Sequence, residues 1–266
     1  MIYTGKPNAI EIYQNTKRKN IDQILAETGA TLAINGGLFN GSFKPVCHLK
    51  SNGIVYATDP YKYWGYGWNL ADIRMTQAYG NLLNYICCTC LVRDGKAETL
   101  IYNPDMGGKR PRTALGLFPD GRVWFYAEPT KRTPEQLQQY ALGLGLRSAI
   151  MLDSGTSTQG VSPSGTYRQG RICQNFILAW FSNTIKCPYP EPTHTVGRWA
   201  FLYSADEARW VQWMLTRVGY PLETDGKFGA LSDAALRKYQ ARRGLKQDGL
   251  CGSQTREALK FDLSRR

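Results

Sequence analysis

The sequence predicts an α+β protein in which a domain built on a mixed β-sheet precedes a small three-helix module. Short apolar runs bounded by polar or glycine-containing turns are typical of buried strands, and they fill the first two-thirds of the chain. A proline-containing segment at 182–197 then interrupts this pattern. After it, an Asp-Gly turn followed by an apolar helical run occurs twice, beginning at Asp225 and at Asp248. We therefore expect a first domain at 1–185, a linker at 186–197 and a helical domain at 198–266.

The elements of the first domain follow from local signals. An amphipathic helix is predicted at 20–28, because its apolar spacing fits a helix and Gly29 can end it. A second helix is predicted from Leu137 to about Leu144, since Thr133 suits the N-cap and Pro134 the first helical position. Strands are predicted at 31–34, 113–118, 123–127, 149–152 and 176–181, and hairpin turns at 51–53 and 93–96.

Composition narrows the choice of partners. The 266 residues carry 33 Lys and Arg against 21 Asp and Glu, and the net charge of +12 favours a polyanionic partner. The absence of long basic runs and of a nucleic-acid motif argues against nucleic acid. The N-terminus lacks the pattern of a secretory signal, and no segment has the apolar length of a membrane span. We therefore expect synthesis in a cytoplasm and no membrane partner.

Cysteine and histidine usage argues against a disulfide framework and against a metal site. Seven cysteines form an odd, irregularly spaced set, which favours free thiols. The two histidines, His48 and His194, have no second histidine or Cys-x-x-Cys pair at ligand spacing. No cofactor is predicted, and a divalent cation such as calcium in an aspartate-containing loop stays open.

Polar residues stand at the ends of predicted strands in three places, at 35–37, 112–113 and 153–158. A rigid sheet can hold such groups in place while the adjoining loops admit a substrate. The segment 105–110 is expected to form a mobile, basic entrance loop. An aromatic run, Tyr61, Tyr63, Trp64, Tyr66 and Trp68, fits either sugar stacking over a pocket or core packing.

The sequences at these three places, taken together, resemble those of the phosphodiester glycosidase family. The matching phrases are Asn35-Gly36-Gly37-Leu38-Phe39, Arg112-Thr113-Ala114-Leu115-Gly116, Leu152-Asp153-Ser154-Gly155-Thr156-Ser157, and a closing Arg171 with Asn175. The resemblance spans about residues 30–181 in order and spacing. Leu38 and Ser154 depart from the family pattern, which has an aromatic residue and a glycine there, and this puts substrate choice in doubt.

The resemblance implies hydrolysis of a sugar phosphodiester. Asp153 and Glu128 end strands that one helical crossover connects, so we expect both to face one cleft, as a two-carboxylate mechanism requires. They are the candidate acid and base, with their roles unassigned. Arg112 is the candidate phosphate ligand, since a guanidinium can bind two oxygens at once. We also expect the backbone amides around Gly36, Gly37 and Gly155 to form an anion nest. The candidate substrate-binding residues are Asn35, Gly36, Gly37, His48, Thr113, Ser154, Gly155, Thr156, Ser157, Arg171 and Asn175.

The C-terminal phrases resemble the peptidoglycan-binding domains of bacterial and phage lytic enzymes. They are Val211-Gln212, Gly219-Tyr220, the turn at Asp225, Tyr239-Gln240, Gly244-Leu245 and the turn at Asp248. This resemblance implies a bacterial cell wall as partner, either its peptidoglycan or an anionic wall glycopolymer. Together with the missing signal pattern, it implies action at the wall after release like that of a phage lysin.

Two alternatives stay open. The chain could be an amidase or endopeptidase that cleaves peptidoglycan, although a zinc amidase needs more histidines. A Cys47 nucleophile with His48 would need both side chains on one side, whereas neighbours on a strand point to opposite faces. The second alternative is a protein that binds a glycosyl phosphate or a nucleotide without cleaving it.

Overall fold

The structure, a computed structural model, describes residues 1–58, 63–69, 71–181 and 187–264. The chain divides into two compact units, the first formed by Met1–Ser51 and Val55–Ser182 and the second by Asn52–Ile54 and Asn183–Arg266. The predicted α+β class is confirmed, with sheets in the first unit and a small helical module in the second. Tyr61 of the aromatic run and residues 182–186 at the start of the predicted linker region lie outside the described residues.

The elements have the following bounds. The strands are β1 (Ile2–Gly5), β2 (Ala9–Gln14), β3 (Leu32–Asn35), β4 (Leu49–Ser51), β5 (Ile54–Ala57), β6 (Gly65–Trp68), β7 (Arg74–Thr76), β8 (Asn84–Cys87), β9 (Thr89–Arg93), β10 (Lys96–Ala97), β11 (Arg110–Leu117), β12 (Val123–Arg132), β13 (Ser148–Met151), β14 (Gly160–Ser162), β15 (Gly165–Tyr167), β16 (Asn175–Trp180), β17 (Val196–Gly197) and β18 (Leu250–Cys251). The helices are α1 (Ile21–Thr28), α2 (Pro134–Gly143), α3 (Ala205–Arg217), α4 (Ala230–Arg242) and α5 (Ser253–Ser264).

The strands of the first unit lie in a six-stranded sheet of order β1-β12-β11-β13-β9-β10 and a five-stranded sheet of order β15-β14-β3-β16-β2. A further sheet has the order β5-β4-β8-β6-β7. The pairs that join β3, β11, β13 and β16 to their neighbours are antiparallel. A continuous apolar core, which includes Ile34, Leu115 and Ile177, packs these sheets together. It fixes the strand ends that carry the candidate site.

Both predicted helices of the first unit begin with a capping box, α2 at the predicted cap Thr133 and α1 at Asn20, which the prediction placed inside the helix. The side chains of Asn20 and Thr133 each accept a hydrogen bond from the backbone N–H three residues later, and the Gln23 and Gln136 side chains accept one from the backbone N–H of the cap residue. These reciprocal bonds satisfy amides that the first helical turn would otherwise leave unpaired. Helix α2 covers the outer face of the six-stranded sheet through a second apolar cluster that includes Trp124 and Leu137.

The second unit contains α3, α4 and α5 together with the two-stranded pair β17–β18. Part of the segment predicted as a linker belongs to this unit. Glu191 pairs with Lys260 at 2.9 Å, and the backbone N–H groups of Thr193 and His194 donate to the Glu207 carboxylate. These ion pairs and hydrogen bonds, which composition does not reveal, order the chain well before residue 198.

The repeated sequence phrase forms the same hydrogen-bonded structure twice. In the first copy, the buried Gln212 side chain accepts from Gly226 N and donates to Asp225 Oδ1 and the Lys227 carbonyl. In the second copy, Gln240 accepts from Gly249 N and donates to Asp248 Oδ1 and the Leu250 carbonyl. One glutamine on a helix therefore closes each Asp-Gly turn.

We expect Gln212→Ala and Gln240→Ala each to destabilise the second unit by about 2–4 kcal/mol, because each leaves buried turn groups without partners. The free energy of unfolding from urea titration of the full chain measures this effect. Gln254→Ala, at an exposed position on α5, is the control and should change it by less than about 0.5 kcal/mol. Equal changes in the free energy of unfolding for all three variants would contradict the proposed role of the two glutamines.

None of the helices in the described part of the chain combines the length and apolar character that a membrane span requires.

Candidate active site

Asn35, at the end of β3, joins three segments of the first unit. Its Nδ2 donates to the Asp153 carbonyl at 2.7 Å, and its Oδ1 accepts from Thr113 Oγ1 at 2.6 Å and from Gln159 N at 3.0 Å. Asn35 and Thr113 are fully buried. The side chains of Asn35 and Thr113 therefore hold the strand ends in place. A substrate would contact the neighbouring groups that these two residues position, and not Asn35 or Thr113 themselves.

The Gly36–Gly37 turn is closed by Asn175. Gly36 N donates to the Asn175 carbonyl at 3.0 Å, and Gly37 N donates to Asn175 Oδ1 at 2.7 Å. A Cβ atom at position 36 would lie 1.9 Å from Asn175 Oδ1, so only glycine fits there. Since both amides are engaged, the anion nest expected at Gly36 and Gly37 is not formed, and the turn is structural.

The carboxyl group of Asp153 lies in a polar cluster just past the end of β13. Ser157 and the backbone N–H of Ser154, at 2.9 Å from Oδ1, hydrogen-bond to it. Ser157 Oγ in turn accepts from Arg171 Nη1 at 2.9 Å, and Thr156 Oγ1 lies 3.3 Å from the same nitrogen. A continuous chain of hydrogen bonds thus runs from the exposed guanidinium of Arg171 to the buried carboxyl of Asp153.

Burial raises the pKa of Asp153, and the opposing influences of Ser157, Arg171 and the Ser154 amide do not cancel it. Only 9% of the residue is exposed. A raised pKa increases the fraction of protonated carboxyl, which is the form that can donate a proton to a leaving group. Among the sequence candidates, Asp153 is therefore the group best suited to acid catalysis.

Phe39 and Arg110 also border this cluster, and sequence reasoning did not select them. The Arg171 guanidinium stacks over the Phe39 ring at 4.7 Å from its centroid. Gly155 has a positive φ of 70°, and a Cβ atom there would lie 3.4 Å from Arg110 Cδ. Two arginines thus border the 153–157 segment. The family phrase that carries Phe39 was the available signal for it, and the basic segment 105–110 was the signal for Arg110.

Arg112 does not take the position expected of a phosphate ligand. Its guanidinium is fully buried and donates to the carbonyls of Met106, Gly108 and Arg132 at 2.6–2.8 Å. Burial and the nearby Arg110 lower its pKa to about 10. The donors that would grip phosphate are thus bound to backbone, because the 106–108 loop folds over them. Arg112 orders a loop that the sequence suggested to be mobile.

Glu128 makes its ion pairs with Arg132 and with the N-terminal amine of Met1. Glu128 is directly opposite Arg112 in the β11–β12 ladder, whereas Thr113 is opposite Ala127. Because side chains alternate along a strand, Glu128 and Arg112 face away from the side on which Thr113 reaches Asn35. The Glu128 carboxylate lies 3.8 Å from Arg132 Nη1. None of these contacts joins Glu128 to Asp153, so the shared cleft of the two carboxylates stays a prediction.

His48, Tyr66 and Trp68 make packing contacts. The His48 ring contacts Tyr79 and Tyr85 in edge-on geometry. Tyr66 and Trp68 are fully buried, and Trp68 Nε1 donates to the Ile10 carbonyl at 2.7 Å, so the packing alternative holds for both. Within the described ranges, no group of three or more His, Cys, Asp or Glu side chains is arranged to bind a metal ion.

A cavity of about 210 Å³ borders the loop that Arg112 holds. Leu38, Tyr63, Tyr102 and Met106 line it, together with the thiols of Cys47 and Cys88. Leu38 follows the Gly36–Gly37 turn directly, so the cavity adjoins the strand ends of the candidate site. Its lining is mainly apolar with a few polar groups, which is the usual character of a small-ligand pocket.

Residues 28–179 match the model of the phosphodiester glycosidase family. This chain belongs to that family. The family region contains Asp153 and the strand ends that Asn35 joins. Residues 204–259 match the model of a peptidoglycan binding domain, which contains both Gln-closed turns.

Two solved structures support the fold. The catalytic domain of zebrafish N-acetylglucosamine-1-phosphodiester alpha-N-acetylglucosaminidase, auto-inhibited by its pro-peptide, is 13% identical with a TM-score of 0.51. The match covers 65% of this chain and 73% of the zebrafish domain. A protein from Synechocystis is 11% identical with a TM-score of 0.56, and the match covers 66% of this chain but only 58% of that protein. Among curated proteins, none matches.

The family region and the peptidoglycan binding domain in one chain support a hydrolase that is associated with the bacterial cell wall. The α+β first unit and the small helical module both agree with these matches.

Proposed function

We propose that this protein hydrolyses glycosyl phosphodiester links of an anionic wall glycopolymer, such as a sugar 1-phosphate link on a teichoic acid. The observation that carries the proposal is the buried Asp153 carboxyl, linked through Ser157 to the exposed Arg171. A proton donor beside a cation suits a reaction in which a phosphate leaves a sugar.

In the proposed mechanism, Asp153 is the general acid. Its proton passes to the bridging oxygen as the bond between that oxygen and the anomeric carbon breaks, and the phosphate leaves as a monoester. Water adds its oxygen to the anomeric carbon and loses a proton, which restores the protonated state of the site. Arg171 and Arg110 bind the phosphate oxygens, since guanidinium groups favour that geometry. Ser157 orients the Asp153 carboxyl.

The sequence-derived candidates then separate by role. Ser154, Gly155, Thr156 and Ser157 form the segment that surrounds the acid, and Arg171 is the candidate phosphate ligand. Asn35, Gly36, Gly37, Thr113 and Asn175 position the strand ends that carry this segment. We propose that Arg112 acts through the loop that it holds and that Glu128 and His48 stay outside the chemistry.

The second unit would bring the site to its substrate. Peptidoglycan binding would raise the local concentration of the enzyme at wall polymers that are attached to the same surface. The net charge of +12 favours polymers that carry phosphate. Release from a lysed cell, as for a phage lysin, would give the protein access to the wall from inside.

The proposal is tested by incubating the purified chain with bacterial walls and, separately, with a GlcNAc 1-phosphodiester. New reducing sugar ends and phosphomonoesters are expected from both substrates. New amino termini without reducing sugar would identify a peptidase or amidase instead. Binding of the phosphodiester without any product would identify a non-catalytic binding protein.

We expect kcat/KM for the phosphodiester to fall as the pH rises through the pKa of Asp153. This follows because the acid form is the reactive one and burial keeps that form populated above the ordinary aspartate range. A pH–rate profile measures this dependence. Activity that instead rises with pH through the same region would mean that Asp153 acts as a base, which contradicts the assignment.

A further inference from the structure

Cys47 and Cys88 lie just beyond the paired ends of two antiparallel strands, β4 and β8. The β4–β8 ladder pairs Leu49 with Ile86 and Lys50 with Tyr85. The ladder continues beyond β4, since Cys87 N donates to the His48 carbonyl at 3.3 Å. One further step in the same register brings Cys47 opposite Cys88.

The register of the ladder gives this pair a spacing at which a disulfide can form. In an antiparallel ladder, hydrogen-bonded pairs alternate with non-hydrogen-bonded pairs, whose Cα atoms lie roughly 4.5 Å apart. The bond from Cys87 N to the His48 carbonyl makes the next pair, Cys47 and Cys88, a non-hydrogen-bonded one. Disulfides need Cα atoms roughly 4.4–6.8 Å apart. The two thiols are also hydrogen-bonded to each other.

We propose that Cys47 and Cys88 form a reversible cross-strand disulfide by exchange with a small disulfide such as glutathione disulfide. In the structure all seven cysteines are thiols, so it represents the reduced form. The proposal concerns the cavity that both thiols line and does not depend on the proposed hydrolytic function.

Accessibility sets the order of the chemical steps. Cys47 is half-buried, whereas Cys88 is only 5% exposed, so Cys47 meets the external disulfide first. The Cys47 thiolate attacks one sulfur of glutathione disulfide and releases one glutathione thiolate, which takes up a proton. The Cys88 thiol then loses its proton and attacks the Cys47 sulfur, which releases the second glutathione. Two protein thiols are oxidised and one glutathione disulfide is reduced to two thiols.

The bond would tie the segment before β4 to the junction between β8 and β9. That segment also carries Val46, whose N–H donates to the Leu38 carbonyl at 3.0 Å, so the bond would stiffen one wall of the cavity. Closing this loop in the unfolded chain raises stability. We expect oxidation to raise the melting temperature of the full chain by roughly 5–10 °C.

The test compares the full chain after treatment with glutathione disulfide and after treatment with dithiothreitol. Non-reducing peptide mapping should show a link between Cys47 and the tryptic peptide that contains Cys87, Cys88 and Cys90. Because that peptide contains three cysteines, single variants are needed to identify which of them is bonded to Cys47. Cys88→Ala and Cys47→Ala should abolish the link and the rise in melting temperature, whereas the matched Cys87→Ala should retain both.

Loss of the link in Cys87→Ala with its retention in Cys88→Ala would overturn the proposal. So would a glutathione adduct that persists on Cys47 of the unaltered chain, or the absence of any link. Far-UV circular dichroism checks that each variant is folded. If the buried Cys88→Ala fails to fold, the half-buried Cys47→Ala and the Cys87→Ala control still decide the result.

Discussion

Asp153→Asn should lower kcat for a GlcNAc 1-phosphodiester by roughly 100- to 10,000-fold, the usual range for loss of a general acid. Asparagine has nearly the same shape as aspartic acid but cannot release a proton to the leaving oxygen. The Asn35 bond to position 153 is made to the backbone carbonyl, so the substitution leaves it intact. Burial raises the pKa of this carboxyl, so a neutral amide should be tolerated there and the variant should fold. Steady-state kinetics with the purified variant measure the effect.

Two further substitutions make this result interpretable. Asp120→Asn, in an exposed hairpin, is the matched control and should leave kcat unchanged. Glu128→Gln separates the two mechanisms that the sequence left open. The contacts of Glu128 with Arg132 predict a small effect, whereas a two-carboxylate mechanism predicts a loss as large as that of Asp153→Asn. Normal activity in Asp153→Asn would remove Asp153 from the chemistry.

Arg112→Ala should destabilise the first unit by about 3–5 kcal/mol, because it leaves the carbonyls of Met106, Gly108 and Arg132 without their donors. A loss of this size is a large part of the stability of an ordinary domain. Urea titration followed by tryptophan fluorescence measures it. Arg112→Lys should recover only part of the stability, since an ammonium group cannot reach three carbonyls in the same plane.

Arg171→Ala should have a much smaller effect on stability than Arg112→Ala. The Arg171 side chain is exposed, so its removal should change the free energy of unfolding by less than about 1 kcal/mol. Loss of a charge-assisted bond to phosphate should instead reduce kcat/KM by roughly 10- to 100-fold. If Arg112→Ala folds normally and raises KM while Arg171→Ala is fully active, the roles of the two arginines are the reverse of those proposed.

Much of the fold was predictable because local signals agreed with the tertiary structure. The strands at 123–127, 149–152 and 176–181 are continuous apolar runs and lie in the centres of the sheets, where both faces are covered. The strand β2 was missed, since Glu11 interrupts its apolar pattern and yet is buried. Whether a charged residue such as Glu11 is buried depends on segments that are distant in the sequence. The sequence of β2 alone therefore does not predict its burial.

The sequence predicted which segments of the chain form the candidate site, but it did not predict the contacts of all the side chains there. The family phrases identified Asn35 and Asp153, and the structure joins them through the Asp153 carbonyl. Arg112 was expected to bind phosphate because its residue type suits that task. Its burial depends on the 106–108 loop, whose path no periodicity predicts. Arg110 was expected only as part of the basic entrance loop at 105–110, because only the folded chain brings it beside Gly155.

Hydrolysis of a GlcNAc 1-phosphodiester in heavy-oxygen water tests the central claim most directly, because it identifies the bond that breaks. Attack at the anomeric carbon, with Asp153 protonating the bridging oxygen, predicts that mass spectrometry finds the heavy oxygen in the released sugar and none in the phosphomonoester. Heavy oxygen in the phosphate would mean attack at phosphorus, and the absence of turnover alongside new amino termini from walls would mean a different enzyme. Either result would contradict the account of a glycosidase that uses Asp153.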